Sequence, residues 1–210
     1  MADLYAQKFV KEFKEKRPLY EEFCGAMNKL MAELLNSKKY KHQIFYRVKS
    51  LQRLEQKIIN KKRQKKIYRN LSEIEDLAGI RIIFYLESDK EKFSEDLERE
   101  ILIVNIEELE KKSGYRARHV IVALNKKRLA LREYKNFENL KCEIQLVSIF
   151  NHAWAELEHD WLYKDVHGIR TKNPEKYGFI KKQMEKIFKN YVRKLTSRFE
   201  KVAKQLPEKK

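Results

Sequence analysis

Two carboxylates and a run of cations carry most of the chemistry this sequence could perform. Arg47, Lys49, Arg53 and Lys57 place four cations within the eleven residues RVKSLQRLEQK. From Leu51 onward the stretch reads as a helix, so Arg53 and Lys57, four apart, share a face. Cations projecting from a strand end and the next helical turn suit a triphosphate; the same residues would also make an ordinary solvated basic face. Asp76 follows in EIEDLAGIRI, in the turn before an apolar strand. A carboxylate there, beside a basic segment, suits a Mg²⁺ that accompanies phosphates; the alternative is a side chain that bonds the backbone of its own turn.

A third stretch, GYRARH, covers residues 114–119. Gly114 permits an unusual turn, Tyr115 offers an aromatic face, and Arg116 and Arg118 add charge. A ring flanked by cations can hold a base and its phosphates together, although a surface tyrosine in a turn has the same local signature. The fourth stretch is CEIQLV. With a period of two, Glu143, Gln145 and Val147 share one face, and Cys142, Ile144 and Leu146 share the other. A sheet with that strand is covered on one side and open to a cleft on the other, where Glu143 could bind metal or accept a proton from a hydroxyl. In the helix that follows, His152, Glu156 and His159 fall on one stripe. Without HExxH or another Cys/His cluster, a zinc site is disfavoured there, and the stripe reads as a hydrogen-bonded support behind the strand.

The elements that must position these groups can be read from periodicity. Helices are expected over 2–16 and 19–36, separated at Pro18, then over 51–66, 89–100, 148–164 and 174–205. Ser72 and Glu75 have the spacing of a capping box. Strands are expected at 79–88, 101–106, 118–124 and 139–148, with 42–50 either strand or bend. The result is an α+β fold: a single mixed sheet of about five strands flanked by helices, with helical N- and C-terminal extensions. The divisions fall at 1–40, 41–165 and 166–210, within one structural domain.

Composition narrows the class. Apolar residues make up 42% of the 210, enough for a core, and 48 Lys+Arg against 31 Asp+Glu give a formal charge of +17. That excess favours polyanionic partners, nucleotides or RNA among them, or an acidic protein; lysine drift in composition would also produce it. No run of about 18 apolar residues argues for a membrane span, and no secretory signal is expected from the first residues. Cys24 and Cys142 read as buried thiols in a reducing cytoplasm.

In this order and combination, RVKSLQRLEQK, EDLAGIRI, GYRARH and EIQ followed by HAWAELEHDWLYK resemble the synthetase domain of the RelA/SpoT family over about residues 43–164. The resemblance implies a nucleotidyltransferase-like fold and a pyrophosphokinase that moves pyrophosphate from ATP to a ribose 3′-hydroxyl, with Mg²⁺ as cofactor. GDP or GTP is the usual acceptor, giving the alarmones ppGpp and pppGpp. By the same resemblance, Arg47, Lys49, Arg53 and Lys57 bind ATP, and Asp76 and Glu143 hold metal at the reaction centre. Tyr115 stacks on the acceptor base, with His119, Arg116, Arg118 and Gln145 around it. The sequence departs from the family pattern at Arg53, where serine is common, at Ser113-Gly114-Tyr115-Arg116-Ala117, and at Val147, where arginine is common. These departures open a second acceptor, the 3′ CCA end of tRNA, which toxic members of the family modify and which would bring an acidic antitoxin as partner. An inactive RNA- or partner-binding module is the third reading. The amphipathic C-terminal helix is expected either to pair subunits in a homo-oligomer or to fold back on its own core.

Overall fold

A computed structural model of the chain describes residues 3–110, 116–163 and 168–206. A long helix α1 (Leu4–Ser37) leads into strand β1 (His42–Val48) and helix α2 (Leu51–Arg63). A 3₁₀ turn (Leu71–Glu73), strand β2 (Ala78–Phe84), helix α3 (Glu87–Glu100) and strands β3 (Leu102–Glu110) and β4 (Arg116–Ala123) follow. Then come the short helix α4 (Lys126–Leu129), strand β5 (Cys142–Ser148) and helix α5 (Ile149–Glu158), whose last turn runs on in π geometry over His159–Tyr163. The chain continues through α6 (Ile169–Lys172), α7 (Pro174–Ile187), a π turn (Phe188–Val192) and α8 (Arg193–Ala203).

The five strands form one mixed sheet in the order β1-β2-β5-β4-β3. Among the described residues, β2 and β5 run parallel and the other three pairs are antiparallel. Alternation decides the two faces. Ile80, Ile82, Ile144 and Leu146 point into the main core beneath α1 and α3, all at 1% exposure or less. Gly79, Arg81, Glu143 and Gln145 pair across the same two strands and point the other way. Val147 falls on this second face too, but it is buried against Ile83 and Ala117.

Helix α1 is continuous through Pro18, contrary to the expected break. Proline removes one N–H and opposes the preceding turn, at about 3 kcal/mol. Phe9 and Phe13 before it and Tyr20, Phe23, Met27 and Met31 after it are all buried. At roughly 1.5–3 kcal/mol for each large apolar side chain, that stripe outweighs the local cost. Pro18 itself is exposed, so the carbonyl that its missing N–H leaves unbonded can reach water.

The expected capping box is also replaced. Glu73, not Glu75, folds back onto the Arg69 amide at 3.1 Å and the Asn70 side chain at 3.2 Å. Glu75 instead pairs with Lys141 at 3.2 Å.

The C-terminal helices lie against α5 and α3. Trp154 is buried with Met184 and Phe188, and Phe150 stacks on Phe199 with centroids 5.5 Å apart. Glu200 accepts hydrogen bonds from the Glu87 and Ser88 amides at 2.6 and 3.2 Å, capping α3, which has no side-chain cap of its own. Both cysteines are buried free thiols. Among the described residues, no helix is long and apolar enough to cross a membrane.

Candidate active site

The site grows from the junction of β1 and α2. Arg47 faces Gly79 across the β1–β2 pair, and the Lys49 amide bonds the Leu77 carbonyl at 2.8 Å. Ser50 caps α2 by accepting from the Arg53 amide at 3.2 Å. This turn aims Lys49 and, one helical turn beyond Arg53, Lys57 at the residue just ahead of β2. That residue is Asp76, whose Oδ2 lies 2.9 Å from Lys49 Nζ and 2.7 Å from Lys57 Nζ. Burial raises the Asp76 pKa, but Lys57 and then Lys49 outweigh it and hold the carboxyl below its ordinary range. Its other oxygen, Oδ1, is buried and has no hydrogen-bond partner among the described residues.

Glu143 stands beside it on β5. His119 Nδ1 lies 3.2 Å from its Oε1, and Gln145 Nε2 donates to its Oε2 at 2.7 Å. Burial and the neighbouring Asp76 charge push its pKa up; the His119 contact and the Gln145 bond bring it below the ordinary value. The chain of contacts continues outward: Arg81 Nε donates to Gln145 Oε1 at 3.0 Å, and Arg81 Nη1 meets Glu156 Oε1 at 2.6 Å. An interlocked series of this kind fixes rotamers that single exposed side chains would sample freely.

Asp76 and Glu143 line one cleft of about 430 Å³, together with Arg47, Lys49, Arg53 and Gln145. That volume suits a nucleotide-sized ligand. The same two carboxylates also line a smaller hollow of about 150 Å³, where Lys57, Lys61, Lys66 and His119 stand among Glu73, Glu75 and Glu107. They therefore stand at the boundary between two adjoining spaces, one large and one small.

Two expectations need correction. Arg118 does not join the site: it pairs across from Leu146 on the core face and bonds Glu91 at 3.2 Å and Glu108 of β3. Its neighbour His119, one residue on, faces the small hollow, as the period of two requires. The stripe on α5 does not brace the strand from behind either. His152 and Glu156 line the large cleft, Trp154 takes the buried side, and His159 is exposed next to Asp160 at 3.7 Å. Tyr115 and the Arg116 side chain lie outside the described residues. Arg81 also lines the cleft, and its signal in the sequence is a lone charge at the centre of GIRIIF. Phe45, opposite Arg81 on β1, carried none.

Hard oxygen donors of this kind fit Mg²⁺, which is commonly held by one or two carboxylates with substrate phosphates supplying the rest. The unpartnered Oδ1 of Asp76 is the observation that supports this fit. Among the described residues, no group of three or more His, Cys, Asp or Glu is placed to hold a metal alone.

Residues 46–168 match the family model described as a region found in RelA / SpoT proteins. Among solved structures, the chain is similar to small alarmone synthetase 1 from Bacillus subtilis bound to its product pppGpp, at 20% identity and a TM-score of 0.71, over 93% of this chain and 98% of that one. Small alarmone synthetase 2 from the same organism aligns at 22% identity and a TM-score of 0.70, over 93% and 100%. Synthetase 1 bound to AMPCPP aligns at 18% identity and a TM-score of 0.68, over 95% and 100%. At these identities the likeness establishes the fold. No curated protein sequence matches the chain.

Proposed function

This chain belongs to the RelA/SpoT family, whose enzymes are pyrophosphokinases, and from that premise we propose that it transfers pyrophosphate from ATP to a ribose 3′-hydroxyl, with GDP or GTP as acceptor. The observation that carries the reading is the meeting of Asp76 and Glu143 at the boundary of a large cleft and a small hollow, with Arg47, Lys49 and Arg53 on one side and Lys57, Lys61 and Lys66, among glutamates, on the other. ATP takes the large cleft, its phosphates toward Arg47, Lys49 and Arg53; the acceptor takes the hollow at His119.

Transfer of this kind asks the protein for alignment and charge stabilisation more than for covalent help. The acceptor oxygen attacks the β-phosphorus of ATP, the bond from that phosphorus to the α–β bridging oxygen breaks, AMP leaves with that oxygen, and the hydroxyl proton passes to solvent water. Lys49 and Lys57 are held ready by Asp76 and can shift onto phosphate oxygens as the nucleotide arrives. Glu143, ionised at neutral pH, accepts the hydrogen bond of the attacking hydroxyl; its low pKa suits orientation of that hydroxyl better than storage of its proton. Gln145 and His119 fix the carboxylate. Asp76 and Glu143 would hold Mg²⁺, which when bound neutralises developing charge on the phosphates. Tyr115 is proposed to stack on the acceptor base.

A second acceptor, the 3′ end of tRNA, is favoured by one observation. Lys61 and Lys66 line the acceptor-side hollow, and Lys62 and Arg63 adjoin them in the last turn of α2. Such a cluster could track an RNA backbone, with steep salt dependence. In that reading the enzyme is a toxin and an acidic antitoxin its partner. Exposed Tyr191, Leu195 and Val202 support a homo-oligomer in either case. ATP labelled at the β-phosphate, incubated with GDP and with bulk tRNA in separate reactions, tests the proposal. Label on the nucleotide is the expected result, label on RNA supports the second reading, and label on neither overturns both.

A further inference from the structure

The large cleft changes character along its length. At the Asp76 end it offers carboxylates and ammonium groups, which suit phosphates. Two residues further along β2 and β5, about 7 Å at the usual strand rise, the walls become Phe45, Arg81, His152 and Glu156. Phe45 is 55% exposed and sits opposite Arg81 in the β1–β2 register. A ring and a guanidinium plane side by side make a platform on which a flat base can stack. With the triphosphate at the Asp76 end, this is where a nucleotide places its base.

Glu156 stands at the edge of that platform. Its Oε1 takes the Arg81 bond, and its Oε2 has no hydrogen-bond partner among the described residues. His152, 3.8 Å from Oε1, is held below the ordinary imidazole range by burial and then by the Arg81 charge. It is therefore neutral at neutral pH and leaves the carboxylate its charge. A carboxylate oxygen with a free lone pair accepts N–H and repels a carbonyl.

We propose that Glu156 selects the donor base: its carboxylate accepts a hydrogen bond from the 6-amino group of adenine and rejects the 6-carbonyl of guanine or hypoxanthine. The inference rests on the pyrophosphokinase reading and assigns its donor specificity to one side chain, which also positions Arg81. A hydrogen bond to a charged acceptor, replaced by repulsion, amounts to about tenfold or more in affinity.

The test compares ATP with inosine triphosphate, which carries a carbonyl in place of the amine. Both are titrated against the wild-type chain and Glu156→Gln, with dissociation constants and kcat/KM measured. Glu156 is half-exposed on a helix surface, so the isosteric amide folds normally. The wild type is expected to favour ATP by about tenfold or more. In Glu156→Gln the ratio is expected to fall within about threefold, because the carboxamide can donate to the 6-carbonyl. Equal wild-type affinity for the two nucleotides overturns the inference while leaving the pyrophosphokinase reading standing. So does an equal loss for both in Glu156→Gln, which would leave the residue only the task of holding Arg81. Binding of neither nucleotide by the wild type overturns the pyrophosphokinase reading and the inference with it.

Discussion

Replacing Asp76 with asparagine separates its structural task from its proposed chemical one, because the two respond in opposite directions. The carboxylate holds Lys57 at 2.7 Å and Lys49 at 2.9 Å, and those side chains are only 26% and 15% exposed. Removing its charge leaves two enclosed ammonium groups facing each other, a loss of about 2 kcal/mol for a pair of partly buried contacts. For a chain of this size, that lowers Tm by roughly 4–8 °C. A triphosphate in the cleft repairs the same defect. A negative charge about 6 Å from a phosphate, at an effective dielectric of about 20, repels it by about 3 kcal/mol, reduced to roughly 1–2 kcal/mol by screening. In EDTA, Asp76→Asn should therefore bind ATP about 5–30-fold more tightly than the wild type and regain its lost Tm. With Mg²⁺ present, turnover should drop by about 10²-fold or more. Calorimetry in EDTA, thermal unfolding with and without ATP, and label transfer give the three readouts. Weaker metal-free ATP binding by the variant, or turnover near wild type, would refute the reasoning.

Two further outcomes concern the scaffold. Pro18→Ala restores an N–H to an otherwise continuous helix and should raise stability by about 1–3 kcal/mol, measured as an upward shift in the urea midpoint at unchanged m-value; a loss would mean that α1 needs its proline. In alkali, burial pushes Tyr20 up to about 12, and burial with the Asp96 contact pushes Tyr40 higher still. Both folded pKa values lie above that of an unfolded tyrosine, about 10, so their contribution to stability is complete below pH ~10 and is lost as pH rises toward and past 12. Circular dichroism melts from pH 9 to 12 should show that decline; tyrosines that all ionise near pH 10 with no loss of Tm would contradict it.

Much of this architecture was legible because the strands obey a strict alternation. Ile80, Ile82, Ile144 and Leu146 face one way and Arg81, Glu143 and Gln145 the other, and the period of two reveals that from residue types alone. Tertiary structure or strand alternation overrides the local reading at three places. Pro18 is a sound breaker in isolation, but the buried aromatic stripe on both sides of it decides the outcome. Arg118 and His119 are neighbours within β4, so alternation alone sends them to opposite faces, Arg118 beside Leu146 and His119 beside Gln145. On α5 the spacing of His152 and Glu156 showed that they share a face but could not show which neighbour that face meets. Packing of Trp154 on Met184 and Phe188, thirty and more residues later, settles it.

Asp76 and Glu143 are proposed to act together on one transfer step. Single-turnover label transfer by Asp76→Asn, Glu143→Gln and the double variant measures that directly. Each single change should lower the rate by about 10²-fold or more, and the double variant should be about as slow as the slower single, because groups serving one step do not add. A double variant slowed by the full product of the two single effects, or either single variant retaining the wild-type rate, would contradict it.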